Sequence, residues 1–238
     1  MEPYEVRTNV GGLESPVAVA ERVTAFLRAV YGWMCVGLGV TAAVAYTTAS
    51  SPALLQLIFG NQLVFFALIA GELGLVFYLS ARVAKIAPGT AAALFLVYSA
   101  LNGLTLSVIL LAYTGASVGN AFLVCAGTFA ALAIYGSTTS RSLAGLGQFA
   151  FMGLIGLILA SIVGIFWQND MLQFLIACAG VIVFTGLTAW DAQRLKQMAL
   201  ALPEGQGGSY AVVGALSLYL NFVNLFLMLL RLFGGRRE

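Results

Sequence analysis

The sequence predicts an all-α, polytopic membrane protein with seven transmembrane helices. Three observations predict it. Hydrophobic residues make up 61% of the chain and charged residues 8%, whereas soluble domains carry about 25% charged residues. Mean hydropathy is +0.98. The charges also fall into separated clusters, leaving uncharged stretches from Ala29 to Gly71, Ile86 to Ser140, Ser142 to Asn169, Met171 to Trp190 and Gly205 to Leu230.

A spanning helix needs about 20 apolar residues, so the first two stretches can each hold more than one crossing and the others hold one. Breaks at Pro, Gly, Ser and Asn clusters place the segments at 26–48, 62–82, 89–112, 119–138, 147–167, 171–196 and 210–231. The first begins late, behind Glu21 and Arg22, which argues against a cleaved signal peptide. Residues 1–20, with Gly11 and Gly12, read as a flexible amino-terminal arm, 21–234 as one transmembrane domain and 235–238 as a basic tail. Pro203 to Ser209 reads as a helix-hairpin turn. In the fifth segment Gly156, Ala160 and Gly164 recur at every fourth position and are expected to form a packing face.

Lys and Arg in short loops set orientation. Arg22, Arg28, Arg82, Lys85, Arg141, Arg194 and Lys196 all fall on one side, while loops 50–61, 114–117 and 168–170 carry none. The amino terminus is therefore expected in the cytoplasm. Seven full spans put Arg231, Arg236 and Arg237 outside, against this rule; a re-entrant last segment would return them. Residues 211–230 are long enough to cross, which favours seven spans.

Much chemistry is excluded by absence. There is no histidine, so zinc sites of the HExxH type and Ser-His or Cys-His pairs cannot form. No phosphate-binding loop is present. Asp191 is the only aspartate well inside a predicted span, which removes an aspartyl protease pair. Cys35, Cys125 and Cys178 lie mid-segment without CxxC spacing and read as packing residues rather than disulfides or metal ligands. No catalytic residue, cofactor or metal-ligand set is assigned, and a net charge of +2 gives no reason to expect nucleic acid.

The polar residues inside the segments can be ranked by depth. Segments six and seven form a hairpin about Gln206, and Asp191 and Asn221 are equidistant from it. Both should lie roughly 15 Å inside the slab at 1.5 Å per residue, allowing for the turn. Ser217, Asn221 and Asn224 share a face of segment seven, and Thr188 lies one turn from Asp191; a polar seam is expected between the two helices. Glu72, midway along segment two, and Asn102, in segment three, fall at similar levels. A charge at mid-bilayer costs about 2.5 to 3.5 kcal/mol, so Glu72 and Asp191 must face the bundle interior, be neutral or be paired. Interhelical hydrogen bonding alone is the competing reading, worth about 1 kcal/mol each.

Five stretches taken in order resemble the Bax inhibitor-1 family: Phe26-Leu-Arg-Ala-Val-Tyr-Gly-Trp-Met34, Tyr135-Gly-Ser-Thr-Thr-Ser-Arg-Ser-Leu143, Gly153 to Ser161, Trp190-Asp-Ala-Gln193 and Leu216-Ser-Leu-Tyr-Leu-Asn-Phe-Val-Asn-Leu-Phe226. The similarity runs from about residue 22 to 232. It implies a seven-helix bundle with the last helix central, and a pH-sensitive calcium leak. In that family the gate is ascribed to two aspartates, on segments six and seven, with an arginine near the end of segment two. Asp191 matches the first aspartate and Arg82 the arginine. Asn221 stands where the second aspartate is expected, so the sensor is incomplete. Two carboxylates at hydrogen-bond distance cannot both ionise easily. An amide removes that repulsion, and its NH2 can donate to an ionised carboxylate.

Three functions follow as expectations: a calcium or other cation leak gated where segments six and seven meet; a non-conducting regulator that binds other membrane proteins, such as a membrane-bound protease; and a proton-coupled transporter, for which the expected repeats or broken helices are missing. The expected partners are the lipid bilayer, calcium or another cation, and other membrane proteins. The expected location is a bacterial inner membrane.

Overall fold

The computed structural model describes residues 16–167, 169–203 and 207–235. The chain forms α1 (Pro16–Ala49), α2 (Pro52–Phe59), α3 (Gln62–Arg82), a 3-10 turn (Val83–Lys85), α4 (Pro88–Ala112), α5 (Gly115–Thr138), α6 (Ala144–Phe166), α7 (Asp170–Ala201) and α8 (Gly207–Phe233). All but α2 are long and apolar enough to cross a membrane. The breaks are made by the residues that suggested them. Ser51, Asn61, Thr114 and Asn169 cap the helices that follow by accepting backbone N–H bonds. Pro52 and Pro88 sit in the first helical turn, where a missing N–H costs nothing.

Two boundaries differ from expectation. The first helix starts at Pro16 rather than near residue 26; residues 1–15 of the expected arm, the hairpin centre at Gln206, and Arg236 and Arg237 of the tail lie outside the described residues. The stretch read as a loop at 50–61 contains α2, eight residues and so only about 12 Å long, too short to cross.

A surface that faces lipid needs no polar face, so the helices sort by packing instead. α8 is the centre: 67% of its most apolar window is buried against 6% for α3. It is enclosed by α1, α4, α5 and α7, with α6 packed on α7 and α3 on α4. α8 also crosses the whole bundle. It begins beside the α3–α4 connection, where the Ser209 hydroxyl donates to the Ile86 carbonyl, and ends at the α4–α5 connection, where the Gly235 N–H donates to Ser117 Oγ at 2.9 Å and the Thr114 N–H to the Gly235 carbonyl at 3.2 Å. The re-entrant alternative for this segment is thereby removed.

Close approach depends on glycine at particular points. A Cβ on Gly136 of α5 would fall on the Ala189 carbonyl oxygen of α7, and one on Gly103 of α4 would lie 2.7 Å from the Thr41 carbonyl of α1. On α6 the buried face is Gly147, Ala150, Leu157 and Gly164, while Gly156 is exposed with open space around it. A repeat of four drifts about 40° per step on a 3.6-residue turn, so the expected Gly156, Ala160, Gly164 face does not persist.

Polar side chains of α7 strap down the α5–α6 connection. Gln193 accepts from the Leu143 N–H and donates to the Arg141 carbonyl, both at 2.8 Å. Lys196 Nζ donates to the Ser137 carbonyl at 2.8 Å. Gln193→Ala leaves a buried N–H unpaired and is expected to cost about 1 to 3 kcal/mol. The check is a lowered thermal midpoint in detergent; an unchanged midpoint contradicts it.

Candidate functional site

The site begins with the hairpin of α7 and α8. Because both helices run from a common turn, residues at equal distance from it face each other at one level. Asp191 is buried, 6% exposed, and its Oδ2 accepts two hydrogen bonds from α8, from Asn221 Nδ2 and Ser217 Oγ, each at 2.7 Å. Two short donors on one carboxylate oxygen suit an ionised acceptor. Oδ1 takes no hydrogen bond among the described residues.

Asp191 borders a cavity of about 390 Å3. Ser80 comes from the end of α3 and Val83 from the 3-10 turn that follows it, Arg194 and Met198 from α7, and Tyr210, Ser217 and Leu220 from α8. Arg194 is exposed and its guanidinium lies 5.4 Å from the centre of the Trp190 ring, within cation–π range. The cavity thus runs from a buried carboxylate to the surface at the end of the bundle that carries Arg82, Lys85, Arg194 and Lys196.

A second polar cluster lies on the other side of α8. Thr105 Oγ1 donates to Glu72 Oε1 at 2.9 Å, with Asn102 beside the same carboxylate. The Tyr219 hydroxyl donates to Asn102 Oδ1 at 3.1 Å and meets Thr41 Oγ1 at 2.6 Å; Thr41 in turn donates to the Ser99 carbonyl at 2.8 Å. Tyr219 is fully buried, with the rings of Phe95 and Tyr98 edge-on at 5.7 Å.

One face of α8 links the levels. Val213, Ser217, Leu220, Asn224, Leu227 and Arg231 recur at spacings of four and three, which keeps them on one side. The first three line the Asp191 cavity. Leu227 and Arg231 line a cavity of about 320 Å3 at the opposite end, together with Thr105, the residue that holds Glu72.

A family model described as inhibitor of apoptosis-promoting Bax1 matches residues 23–238. The chain belongs to the Bax inhibitor-1 family. It is similar to the inner membrane protein YbhL of Escherichia coli, 47% identical over 215 residues that make up 89% of this chain and 92% of that protein. An uncharacterized protein of Borreliella burgdorferi is 44% identical over 90% of this chain and 93% of its own. An uncharacterized membrane protein of Streptococcus pyogenes is 38% identical, covering 88% and 92%. With seven helices of spanning length, this is an integral membrane protein.

In this Bax inhibitor-1 family member the expected seam is only partly assembled. Asp191, Asn221 and Ser217 meet. Thr188 is buried but its hydroxyl turns back to the Phe184 carbonyl of its own helix at 2.7 Å, and Asn224 does the same toward the Leu220 carbonyl at 2.8 Å. Glu72 and Asn102 belong to the Tyr219 cluster, not to Asp191. Arg82 does not border the Asp191 cavity; it is exposed, and Ser80 of α3 and Val83 of the 3-10 turn form that wall instead. The guanidinium at the cavity is Arg194.

The residues that sequence reasoning missed are Arg194, Tyr219, Thr41 and Thr105. Two carried a signal. A tyrosine in the middle of an apolar span must find a partner for its hydroxyl, and Thr105 follows Asn102 by one turn on α4. Arg194 follows Asp191 by the same interval, but its charge was read for orientation alone.

Proposed function

We propose that this protein is a cation leak of the membrane, with calcium as the permeant ion, gated where α7 meets α8 at Asp191. The observation that carries the reading is the buried Asp191 carboxylate at the head of a cavity that reaches the surface. A charge kept at that depth, against its insertion cost, needs a use. A hard divalent cation takes oxygen ligands, and Asp191 Oδ1, Ser217 Oγ and the Asn221 side-chain oxygen offer them. The stripe on α8 supplies a route: the Asp191 cavity at one end, the Thr105 and Leu227 cavity at the other, and Leu220 with Asn224 between. In this route Leu220 is the apolar constriction, and separation of α7 from α8 is what widens it. The basic end is cytoplasmic by the charge rule.

Regulation by protonation belongs to the same reading. Asn221 holds Asp191 by a hydrogen bond where a second carboxylate would repel it, so the parent protein responds to pH weakly, or only in the acid range. The test is calcium entry into dye-loaded liposomes that contain this protein and no other. Entry above that of protein-free liposomes supports the leak. Entry equal to theirs refutes it and leaves the regulator that binds other membrane proteins.

A further inference from the structure

A third cavity, again about 390 Å3, lies against the face of α8 opposite Asp191. Leu38, Thr41, Ala42 and Tyr46 of α1 form one wall, Leu106 and Leu110 of α4 a second, and Val118 and Phe122 of α5 a third. Phe222, Val223 and Phe226 of α8 close the back. α5 packs on α7 and α8, and α1 packs on α4 and α8, so the cleft between them is floored by the central helix alone.

We propose that this cleft holds an acyl chain of a membrane lipid, drawn from the leaflet at the Ala49 end of α1. Four observations carry it. The lining is apolar apart from the Thr41 and Tyr46 hydroxyls, and the Thr41 hydroxyl is already spent on the Gly37 and Ser99 carbonyls and the Tyr219 hydroxyl. Only the Tyr46 hydroxyl, at the exposed mouth, is left to meet a polar group, and apolar cavities do not hold water. The cleft is continuous with the lipid-facing wall: Tyr46 is 70% exposed and Phe122 45%, and the neighbouring Leu123, Val108 and Leu111 are exposed as well. Its mouth lies at the helix ends, with Tyr46 three residues before the end of α1 and Val118 three residues after the start of α5. A tyrosine at that level sits where interfacial aromatics meet headgroups. From Tyr46 down to Leu38 the cleft is about 12 Å deep, most of one leaflet's hydrocarbon depth of about 15 Å.

The occupant would touch groups that no annular lipid reaches. Phe222 and Val223 are 4% and 7% exposed, and Phe122 stands edge-on to Phe222 at 5.5 Å. Along the α1 wall the chain passes Thr41, whose bond to Tyr219 joins α1 to α8. A filled cleft therefore braces the central helix on the side away from Asp191.

The test is photolabelling of the full-length protein in phosphatidylcholine vesicles containing a phospholipid with a diazirine at mid-chain. Adducts are expected on Phe222 and Val223 as well as on the exposed face of α6 around Phe149 and Ile158. Ala42→Phe fills the cleft from an exposed position on α1, and Val118→Phe fills it from α5. Both are expected to lose the α8 adducts and keep those on α6, with an unchanged thermal midpoint in detergent as the check that the bundle is intact. Adducts confined to exposed side chains in the parent protein overturn the proposal, as do α8 adducts that persist in both variants.

Discussion

Gly136→Leu is expected to be the most damaging single substitution in the bundle, costing roughly 3 kcal/mol or more. The added Cβ would lie on the Ala189 carbonyl oxygen and 3.0 Å from the Ala192 Cβ. The first of these is helix backbone and cannot rotate away. α5 and α7 must then separate, and because Ala189 and Ala192 flank Asp191, the site moves with them. Gly127 on the same helix supplies the control: it is exposed with open space around it, and Gly127→Leu is expected to leave stability within about 0.5 kcal/mol. Thermal unfolding in detergent separates the two. Equal midpoints for both variants contradict the packing account.

Asn221→Asp is expected to have the largest effect on regulation. It replaces the amide whose Nδ2 lies 2.7 Å from Asp191 Oδ2 by a second carboxyl. Two carboxyls at that distance resist holding two charges and share a proton instead. Calcium entry into liposomes should then become steeply pH-dependent, with its midpoint about one unit or more closer to neutral than in the parent protein. Asn221→Ala removes the hydrogen bond without adding a titrating group. It is expected to change the basal leak and leave the pH profile as shallow as the parent's. Superimposable profiles for Asn221→Asp and the parent between about pH 5 and 8, a range spanning shifted carboxylates, contradict this account.

The seven spans were legible because a membrane helix is written by length and apolarity, and its ends by the Asn, Ser, Thr and Pro residues that cap it. α2 was not, since eight residues between two capped turns carry no length signal. Depth was legible too: counting from one turn brought Asp191 and Asn221 to the same level, and they hydrogen-bond. Azimuth was not. Glu72 and Asp191 lie at comparable depth, but Tyr219 is about 200° around α8 from Ser217, so each carboxylate meets a different side of the central helix. Thr188 and Asn224 have the right spacing for the seam and still satisfy themselves on their own backbone. That choice costs an isolated polar side chain less than waiting for a partner, and spacing alone does not reveal it. At Arg82 the resemblance selected an arginine near the end of α3, but the side chain at the cavity is Arg194, three residues past Asp191 on the same helix.

The proposed leak requires that the Asp191 carboxylate itself act on the permeating cation. Asp191→Asn tests it most directly, because the amide is nearly isosteric, can still accept from Ser217 and Asn221, and removes only the charge. Calcium entry into liposomes containing the variant alone is expected to fall by about tenfold or more, equivalent to roughly 1.4 kcal/mol on the barrier, with the thermal midpoint held. Parent-level calcium entry in a variant of unchanged thermal midpoint would contradict the account.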